Sequence, residues 1–368
     1  MSEPKRIAQI VGKWVGGGVE AVIMNYYRNI DKSKIQFDFL CDSDSTNIPY
    51  EEIESLGGRV ILIPPYQKPF KYHKELKRIL KENKYEIVHS HINTMSVFPL
   101  FAAWCAKVPV RIAHSHSTTN KAEWKKNIVK LILRPFVKVF ANSYMCCTEH
   151  AGRWMFGSKK FDKGQVYVLN NAIDLNKFKY DQEIRNDLRK QYNISDNTLV
   201  IGHIGRFMKQ KNHEFIIDVF NELVKKNDDS ILMLVGQGPL MEETKEKVKQ
   251  LELSDKVIFV GQITNPNDYY QAFDLFLFPS LYEGLGMVAV EAQVAGLPCV
   301  CSTEVPVVAR INDECIFIDL NDDKQIWVDK ILESVNVDQR VSSVKEAKHY
   351  GYDIETEVVK LEKKYIGE

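Results

Sequence analysis

The sequence has 368 residues, of which 45% are hydrophobic and 27% are charged. Its length suits roughly two domains of about 100–200 residues each, and its composition is close to the globular average, which excludes extended disorder, collagen-like repeats and coiled-coil rods. Lysine and arginine together number 49, as do aspartate and glutamate. The net charge is zero, and we therefore expect no nucleic-acid or other polyanionic partner.

No segment of the sequence is typical of a membrane span or a signal peptide. The longest apolar run, 97–106, is about half the roughly 20 residues that a spanning helix needs, and the run at 7–11 is too short for a signal-peptide core. The seven cysteines form no C-x-x-C pair and no zinc-ligand spacing. We expect a cytoplasmic protein, since that compartment keeps thiols reduced.

The first half of the chain alternates short β-branched or apolar runs with longer amphipathic runs. In chain order, the pattern predicts a strand at 7–11, a helix at 19–29, strands at 37–41 and 60–63, a helix at 72–83, a strand at 87–89, a helix at 96–107 and a strand at 110–114. Such alternation is typical of a parallel sheet covered by helices on both faces.

The alternation restarts after a polar stretch at 181–196. Strands are predicted at 199–204, 231–235, 257–260, 275–278 and 298–301, with helices at 214–226, 240–251, 267–272 and 288–295. The chain is therefore predicted to be an α/β protein with two doubly wound, Rossmann-like domains, 1–172 and 173–350. The tail, 351–368, predicts a charged helix that packs back on the first domain. Because ligands of open α/β sheets bind beyond the carboxyl ends of the strands, we expect a cleft between the domains to hold the site.

Three glycines, Gly16, Gly17 and Gly18, follow the first predicted strand and precede a helix. Glycine lets a ligand approach the backbone closely, and the amides at a helix N-terminus can bind an anion or a polar group. A plain strand-to-helix turn is the alternative interpretation. The spacing is not G-x-G-x-x-G, which disfavours a dinucleotide-binding dehydrogenase.

Two histidine pairs, His89 with His91 and His114 with His116, end successive predicted strands. Imidazoles at this edge of a sheet can hydrogen-bond a sugar or polarise a hydroxyl. Buried core histidines and a metal site are the alternatives, but no carboxylate or cysteine stands beside the pairs to complete a metal site. The D-S-D triplet at 42–44 lies in a polar turn and is interpreted as a loop.

Two cations follow the first predicted strand of the second half. That strand ends in Gly205 and Arg206, and Lys211 comes five positions later, just before a helix. Cations beside a helix N-terminus can clamp a diphosphate without a metal ion. A solvated basic loop is the alternative for this segment taken alone.

Two glutamates lie eight residues apart, with glycines between them and a helix predicted from about Met287. Glu283 would lie in the loop and Glu291 just over one turn into the helix. Gly286 and Met287 would place their amides at its positive end. The segment thus combines anion donors with carboxylates that can accept hydrogen bonds from sugar and ribose hydroxyls.

These motifs together resemble the retaining GT-B glycosyltransferases of the group 1, or family-four, type. The resemblance rests on G-R-x4-K at 205–211, G-Q-G-P at 236–239, P-S-x2-E-G-x-G-x4-E-A-x3-G-x-P at 279–298 and N-A-I-D at 171–174. Leu285 stands where the family often has phenylalanine, and Ala172 where it usually has glycine. The glycine loop and the strand-end histidines also match, so the resemblance covers nearly the whole chain.

The resemblance implies a GT-B fold, with the first domain on the acceptor side and the second binding the nucleotide sugar. It implies a hexosyltransferase that retains anomeric configuration and needs no metal or other cofactor, with a UDP-sugar as the expected co-substrate. A glycan or lipid-linked molecule is the expected acceptor, in capsule, exopolysaccharide or other surface-glycan synthesis.

The resemblance also assigns roles to individual residues. Arg206 and Lys211 would bind the diphosphate, Glu283 the sugar hydroxyls and Glu291 the ribose, and His116, or else His114, would contact the donor sugar. The expected catalytic residues are thus His116, Arg206, Lys211 and Glu283, and the expected donor-binding residues are Gly17, Gly18, Gly205, Gly286, Met287 and Glu291.

Two other functions stay open at this point, a GT-B sugar-nucleotide epimerase, which needs no acceptor, and a non-catalytic accessory homologue of a transferase.

A further segment, 121–135, predicts an amphipathic helix. Its apolar face comprises Trp124, Ile128, Leu131 and Ile132, and its basic face Lys126, Lys130 and Arg134. Such a helix either lies on an anionic membrane, at the inner face of the cell membrane here, or packs its apolar face inward.

Overall fold

The structure, a computed structural model, describes residues 3–118, 124–263, 265–335 and 340–367, with the side chains of 124–126 excluded. The chain divides into two compact units. The first unit comprises Met1–Ile173 together with Gly351–Glu368, and the second comprises Asp174–Tyr350.

The first unit contains a seven-stranded sheet in which all paired strands are parallel, in the order β3-β2-β1-β4-β5-β6-β7. The direction of strand addition reverses between β1 and β4, which is where open α/β sheets place their ligands. The strands are β1 Lys5–Gly12, β2 Ile35–Asp42, β3 Arg59–Ile63, β4 Ile87–Ser90, β5 Val110–Ser115, β6 Ser143–Cys146 and β7 Val166–Val168.

Helices cover both faces of this sheet, because successive strand residues point to opposite sides. Ile7 of β1 joins one apolar core and its neighbour Ala8 joins the other. The helices are α1 Gly18–Asn29, α2 Tyr50–Ser55, α3 Pro69–Glu82, α4 Val97–Cys105, α5 Trp124–Phe140, α6 Glu149–Phe156 and α7 Ser158–Asp162.

The last helix of the chain, Ile354–Ile366, is part of the first unit. Its buried side chains recur at helical spacing, so they form one face that joins the core containing Ile7 and packs near α1. The backbone N–H of Ile354 donates to the carbonyl of Ile173, which ties the start of the helix to the end of the first unit's main segment. The buried residues on this face are Ile354, Glu357, Val358, Leu361 and Tyr365.

The second unit contains a six-stranded sheet, also parallel at every pair, in the order β10-β9-β8-β11-β12-β13. Its strand order reverses between β8 and β11. The strands are β8 Leu199–Ile204, β9 Ser230–Val235, β10 Val257–Gly261, β11 Leu275–Phe278, β12 Cys299–Ser302 and β13 Cys315–Ile318.

Eight α-helices are described in the second unit. They are α8 Leu175–Phe178, α9 Gln182–Gln191, α10 His213–Lys226, α11 Met241–Gln250, α12 Pro266–Ala272, α13 Met287–Val294, α14 Lys324–Ser334 and α15 Val344–His349. The chain's final helix, Ile354–Ile366, is α16.

The prediction of two doubly wound parallel sheets is confirmed. Three strands were missed, β6, β7 and β13, each of which has only three or four residues. The equally short β4, β11 and β12 were predicted because each directly follows a predicted helix, whereas β6, β7 and β13 lie outside the predicted strand–helix alternation. Among the described residues, no helix combines the length and the apolar composition needed to cross a bilayer.

Candidate functional site

The first group of predicted site residues lies where the strand order of the second sheet reverses. Gly205 follows β8, and its backbone N–H donates to the carbonyl of Val235 at 2.9 Å. Arg206 is exposed, and among the described residues no side chain pairs with its guanidinium. A charged group left unpaired at this edge of the sheet is available to an anionic ligand.

Lys211 and Glu283 form an ion pair at the same edge. The Lys211 Nζ lies 2.8 Å from the Glu283 Oε1, and the two side chains are only 14% and 9% exposed. The ammonium also lies over the ring of Phe278, 4.8 Å from its centroid. Limited access to water strengthens such a pair relative to a surface pair.

Hydrogen bonds to backbone carbonyls hold together the two loops that carry this ion pair. The N–H of Leu281 donates to the carbonyl of Gln210 at 2.8 Å, and the Gln210 side chain donates to the carbonyl of Tyr282 at 3.0 Å. The Asn212 side chain donates to the carbonyl of Pro279 at 3.1 Å. The loops after β8 and β11 therefore form one hydrogen-bonded unit.

The G-Q-G-P segment at 236–239 packs against the backbone of the loop after β8. A Cβ at Gly236 would lie 2.2 Å from the carbonyl oxygen of Gly205, and one at Gly238 would lie 2.4 Å from that of Phe207. Only glycine allows the two backbone segments to approach so closely. The motif therefore shapes the site without contributing a side chain to it.

Gly286 starts α13 in the left-handed region, with a φ of 84°. A Cβ there would lie 3.1 Å from Val305 and 3.3 Å from Phe278, so both backbone conformation and space favour glycine. Among the described residues, no side chain caps this helix start. The amides of its first turn, beginning at Met287, lie at the positive end of the helix and can donate to an anion.

Glu291 lies further along α13 and is held by a tyrosine that the sequence analysis overlooked. The hydroxyl of Tyr270, on α12, donates to Glu291 Oε2 at 2.8 Å. Burial raises the pKa of Glu291, while this hydrogen bond and the charge of Lys211 lower it. No motif marks Tyr270, because it lies in an ordinary amphipathic run that predicts only a helix.

Two further buried histidines support the Lys211 loop, and sequence reasoning missed both. His203 Nδ1 lies 2.9 Å from the carbonyl oxygen of Leu277, and His213 stacks on Phe207 with ring centroids 4.0 Å apart. Burial lowers the pKa of both imidazoles, that of His213 to about 4 with the help of the nearby Lys211 charge. Both rings are therefore neutral at physiological pH, so they pack beside Lys211 without adding charge.

In the first unit, Gly17 and Gly18 lie at the start of α1. Gly17 is the N-cap residue, and the side chain of Glu20 closes the loop by accepting a hydrogen bond from the N–H of Val15 at 3.1 Å. Apart from its chain neighbours and the adjoining helix backbone, no described residue has an atom within 4 Å of where a Cβ of Gly18 would be. This loop thus leaves open space beside a helix N-terminus. In the neighbouring D-S-D loop, Asp44 forms an ion pair with Lys13 at 2.8 Å.

The four strand-end histidines of the first unit lie together and are buried. His89 Nε2 lies 3.1 Å from His114 Nδ1, and His91 Nδ1 lies 3.0 Å from His116 Nε2. Burial lowers the pKa of all four imidazoles, that of His116 to about 3. Each ring is therefore neutral at physiological pH and can both donate and accept one hydrogen bond.

Three of these histidines, His89, His91 and His114, have nitrogens within 4.8 Å of one another, close enough to share a metal ion. No carboxylate or cysteine belongs to this group among the described residues. Three neutral imidazoles can ligate a zinc ion, but in this structure the rings of His89 and His114 are already hydrogen-bonded to each other.

The predicted amphipathic segment is only partly described, since 121–123 and the side chains of 124–126 lie outside the described residues. From Ile128 onwards, one face of α5 is apolar and between 46% and 65% exposed, at Ile128, Val129, Leu131, Ile132, Phe136 and Val139. Lys130 and Arg134 instead donate to the carbonyls of Thr118 and Trp154. These six apolar side chains therefore face outward, contrary to the alternative in which the apolar face packs inward, and α5 contacts the core instead through Val137, which is fully buried.

The sequence matches two family descriptions. Residues 184–348 match the family described as "Glycosyl transferases group 1", and residues 16–177 match "Glycosyltransferase Family 4". The chain is 36% identical over 309 residues to a putative glycosyltransferase, EpsF, of Bacillus subtilis (strain 168), which covers 83% of this chain and 80% of that protein.

More distant relatives and solved structures are also similar. An Escherichia coli UDP-Gal:alpha-D-GlcNAc-diphosphoundecaprenol alpha-1,3-galactosyltransferase is 24% identical over 77% of this chain and 76% of its own. The Staphylococcus aureus capsular polysaccharide biosynthesis glycosyltransferase CapH is 25% identical over 78% of each chain. The crystal structure of Anabaena Alr3699/HepE with UDP and glucose has the same fold, with a TM-score of 0.80 at 17% identity over 98% of this chain and 99% of that one.

Proposed function

This chain belongs to the group 1 glycosyltransferases, and from that premise we propose that it transfers a sugar from a UDP-sugar to a glycan or lipid-linked acceptor in the synthesis of cell-surface polysaccharide. The observation that carries the proposal is the Lys211–Glu283 ion pair. It lies at the carboxyl edge of the second sheet, and the loop that carries Lys211 also holds Arg206, which pairs with no side chain among the described residues. A cation, a carboxylate and a free guanidinium at this edge suit a sugar attached to a diphosphate.

The diphosphate would bind to Arg206, Lys211 and the amides at the start of α13. When the bond between the anomeric carbon and the diphosphate oxygen breaks, negative charge grows on the diphosphate and positive charge on the sugar. Cations and amides that are already in place stabilise this charge without reorganisation. Their role in catalysis is therefore electrostatic, and the leaving group needs no proton from an acid.

Glu283 has two roles in this proposal. It holds the Lys211 ammonium at the edge of the sheet before the donor binds, and its carboxylate accepts hydrogen bonds from donor-sugar hydroxyls afterwards. Glu291, oriented by the Tyr270 hydroxyl, would accept from the ribose hydroxyls of the nucleotide. A carboxylate is suited to both tasks because it accepts several hydrogen bonds and donates none when ionised.

We further propose that the reaction retains the anomeric configuration and needs no metal ion. Metal independence is supported by the two cations, Arg206 and Lys211, which supply the positive charge that a divalent ion would otherwise give. Retention is supported by the family resemblance. In that reaction the acceptor hydroxyl attacks the face that the diphosphate leaves, and the hydroxyl proton passes to the departing phosphate oxygen.

The acceptor and the setting are proposed from the relatives. The Escherichia coli relative is named for a diphosphoundecaprenol acceptor, and CapH for capsular polysaccharide biosynthesis. A lipid-linked acceptor would require the enzyme to work at a membrane surface. The outward apolar face of α5 supports such peripheral contact, because aliphatic and aromatic side chains of a surface helix can enter the lipid interface.

The experiment that tests the proposal has two stages. A thermal-shift panel with UDP-, GDP- and ADP-sugars should show stabilisation by one nucleotide class, since a ligand that binds the folded state raises its stability. The stabilising donor is then incubated with the protein alone, and the products are separated by chromatography. Slow release of UDP and free sugar indicates a transferase. An altered nucleotide sugar would indicate the epimerase, and no product would favour the non-catalytic homologue.

A further inference from the structure

The four histidines of the first unit belong to a longer hydrogen-bonded chain that passes through Gln9 and Tyr365. Gln9 lies on β1 directly opposite His89 on β4, where the strand order reverses. Tyr365 comes from α16, 356 residues away, and accepts a hydrogen bond from Gln9 Nε2 at 3.0 Å. All of these side chains are buried, so most of their polar atoms are paired within the chain and any buried atom left without a partner needs an explanation.

One arm of this chain runs from Gln9 to His116. Gln9 Oε1 lies 2.8 Å from His91 Nε2, and an amide oxygen can only accept, so the proton of His91 is on Nε2. His91 Nδ1 is then bare and accepts from His116 Nε2 at 3.0 Å. His116 is therefore left with a bare Nδ1.

The other arm runs from Tyr365 to His114. The Tyr365 oxygen accepts from Gln9, so its single proton is free to be donated to His89 Nδ1, 2.6 Å away. His89 then carries its proton on Nε2 and donates to His114 Nδ1 at 3.1 Å. His114 is left with a protonated Nε2.

The two ends of the chain are complementary. His116 Nδ1, an acceptor, and His114 Nε2, a donor, are both buried and have no hydrogen-bond partner among the described residues. The two rings stack with centroids 3.9 Å apart. A hydroxyl group both donates and accepts, so it is the simplest group that could satisfy such a pair of ends.

We propose that Gln9 and Tyr365 are positioning residues that hold all four histidines in the Nε2-protonated form, so that His116 keeps an acceptor at Nδ1 and His114 a donor at Nε2. A donor-sugar hydroxyl as their ligand rests on the proposed function and requires donor binding to open these buried ends, whereas the protonation pattern requires neither. Within each arm all hydrogen bonds must run in the same direction. Each neutral imidazole has one donor and one acceptor nitrogen, so reversing one bond forces every later bond of that arm to reverse.

The decisive substitution is Gln9→Glu, which keeps the side-chain size but replaces the amide donor by a second acceptor. Glutamate at position 9 accepts from both His91 and Tyr365. Tyr365 can then no longer donate to His89, so His89 and His114 must move their protons to Nδ1. His91 and His116 should keep theirs on Nε2. One arm is thus expected to reverse while the other stays unchanged.

Nitrogen NMR of protein labelled with ¹⁵N in its histidine rings measures this directly, since the ¹⁵N shift distinguishes a protonated from a bare ring nitrogen. In the wild type, the four histidines should each show a protonated Nε2. Burial raises the pKa of a carboxyl, so spectra of Gln9→Glu are recorded over a pH series up to about pH 9, where the introduced carboxylate is ionised and His89 and His114 should show the reversal. Unchanged nitrogens at these two residues would overturn the proposal, as would Nδ1-protonated rings or a bound metal ion in the wild-type protein.

Tyr365→Phe provides a second, milder test that also reports on catalysis. It removes the proton donor to His89 Nδ1 and should change the ¹⁵N chemical shift of that nitrogen. It should also lower kcat/KM for the donor about three- to tenfold, the scale of one hydrogen bond. Tyr26→Phe is the matched control, because Tyr26 is also buried in this core but donates to the carbonyl of Asn170. Equal effects of the two variants on the histidine nitrogens would refute the positioning role.

The two proposals fail in different ways. If the wild-type protein transfers and hydrolyses no nucleotide sugar, the proposed function is wrong, but the nitrogen shifts still test the hydrogen-bonded chain. If transfer occurs and Gln9→Glu leaves the shifts unchanged, the enzyme stands and the positioning role of Gln9 and Tyr365 is wrong.

Discussion

Lys211 and Glu283 are 72 residues apart in the sequence, yet the ammonium of one lies 2.8 Å from the carboxylate of the other. The pair brings together the G-R-x4-K and E-x7-E motifs. The first motif supplies the cations of the proposed site, and the second supplies its carboxylates. It also gives each of these two largely buried charges a partner before any ligand is bound.

Lys211→Ala is expected to lower kcat for sugar transfer at least about a hundredfold, the scale of losing one preorganised charge-stabilising group. Steady-state kinetics with the donor found in the thermal-shift panel measure it. The matched control is Lys209→Ala, two residues earlier in the same loop and exposed. If the two variants have similar kcat values, the diphosphate role of Lys211 is wrong.

Glu283→Ala is likewise expected to lower the rate of sugar transfer at least about a hundredfold. The double variant Lys211→Ala/Glu283→Ala should lose much less than the product of the two single losses, because residues in direct contact act non-additively. A double-mutant cycle on kcat/KM measures the coupling. The ion pair of Lys226 and Asp329, in the same unit at 2.7 Å, is the control and should show no effect on transfer. Strict additivity at Lys211 and Glu283 would contradict a shared role.

UDP binding is expected to weaken on acidification, and the effect should depend on Glu291. Burial raises the pKa of Glu291, so the carboxylate is lost at a higher pH than in an exposed glutamate, and with it the acceptor for the ribose hydroxyls. Isothermal titration calorimetry between about pH 5 and 8 should show the loss in the wild type and not in Glu291→Gln.

Tyr270→Phe should shift the loss of UDP binding on acidification to higher pH. The Tyr270 hydrogen bond stabilises the ionised carboxylate and lowers the pKa of Glu291, so removing it raises that pKa further. The control is Tyr269→Phe on the same helix, whose hydroxyl lies 3.2 Å from that of Tyr192. A loss of binding at the same pH in wild type and Tyr270→Phe would show that Tyr270 does not act on Glu291.

Chelation is expected to leave activity unchanged within about twofold, because Arg206 and Lys211 supply the positive charge that a metal ion would provide. Transfer is measured after dialysis against EDTA and again after addition of Mg²⁺ or Mn²⁺. A loss of activity that either ion restores would contradict metal independence.

Ile132→Asp is expected to reduce flotation of the protein with liposomes, since it places a charge in the exposed apolar face of α5. The control Val359→Asp alters an exposed valine on α16, away from that face, and should float like the wild type. The membrane contact is wrong if the wild type does not float, or if both variants float equally well.

The sequence alone predicted the fold class, because strand and helix periodicities and the turn residues between them are local properties that repeat along the chain. It also indicated the family, since G-R-x4-K and E-x7-E are motifs whose residues are close in sequence. It missed β6, β7 and β13, which have only three or four residues each and lie outside the predicted strand–helix alternation.

The tertiary structure decided which side chains meet. Tyr270 reaches Glu291 from another helix, and Tyr365 reaches Gln9 and His89 from the far end of the chain. No sequence pattern predicts such contacts, because they depend on strand register and on how helices pack against the sheet. The same holds for the direction in which α5 turns its apolar face, since an amphipathic sequence is compatible with either orientation and only packing selects one.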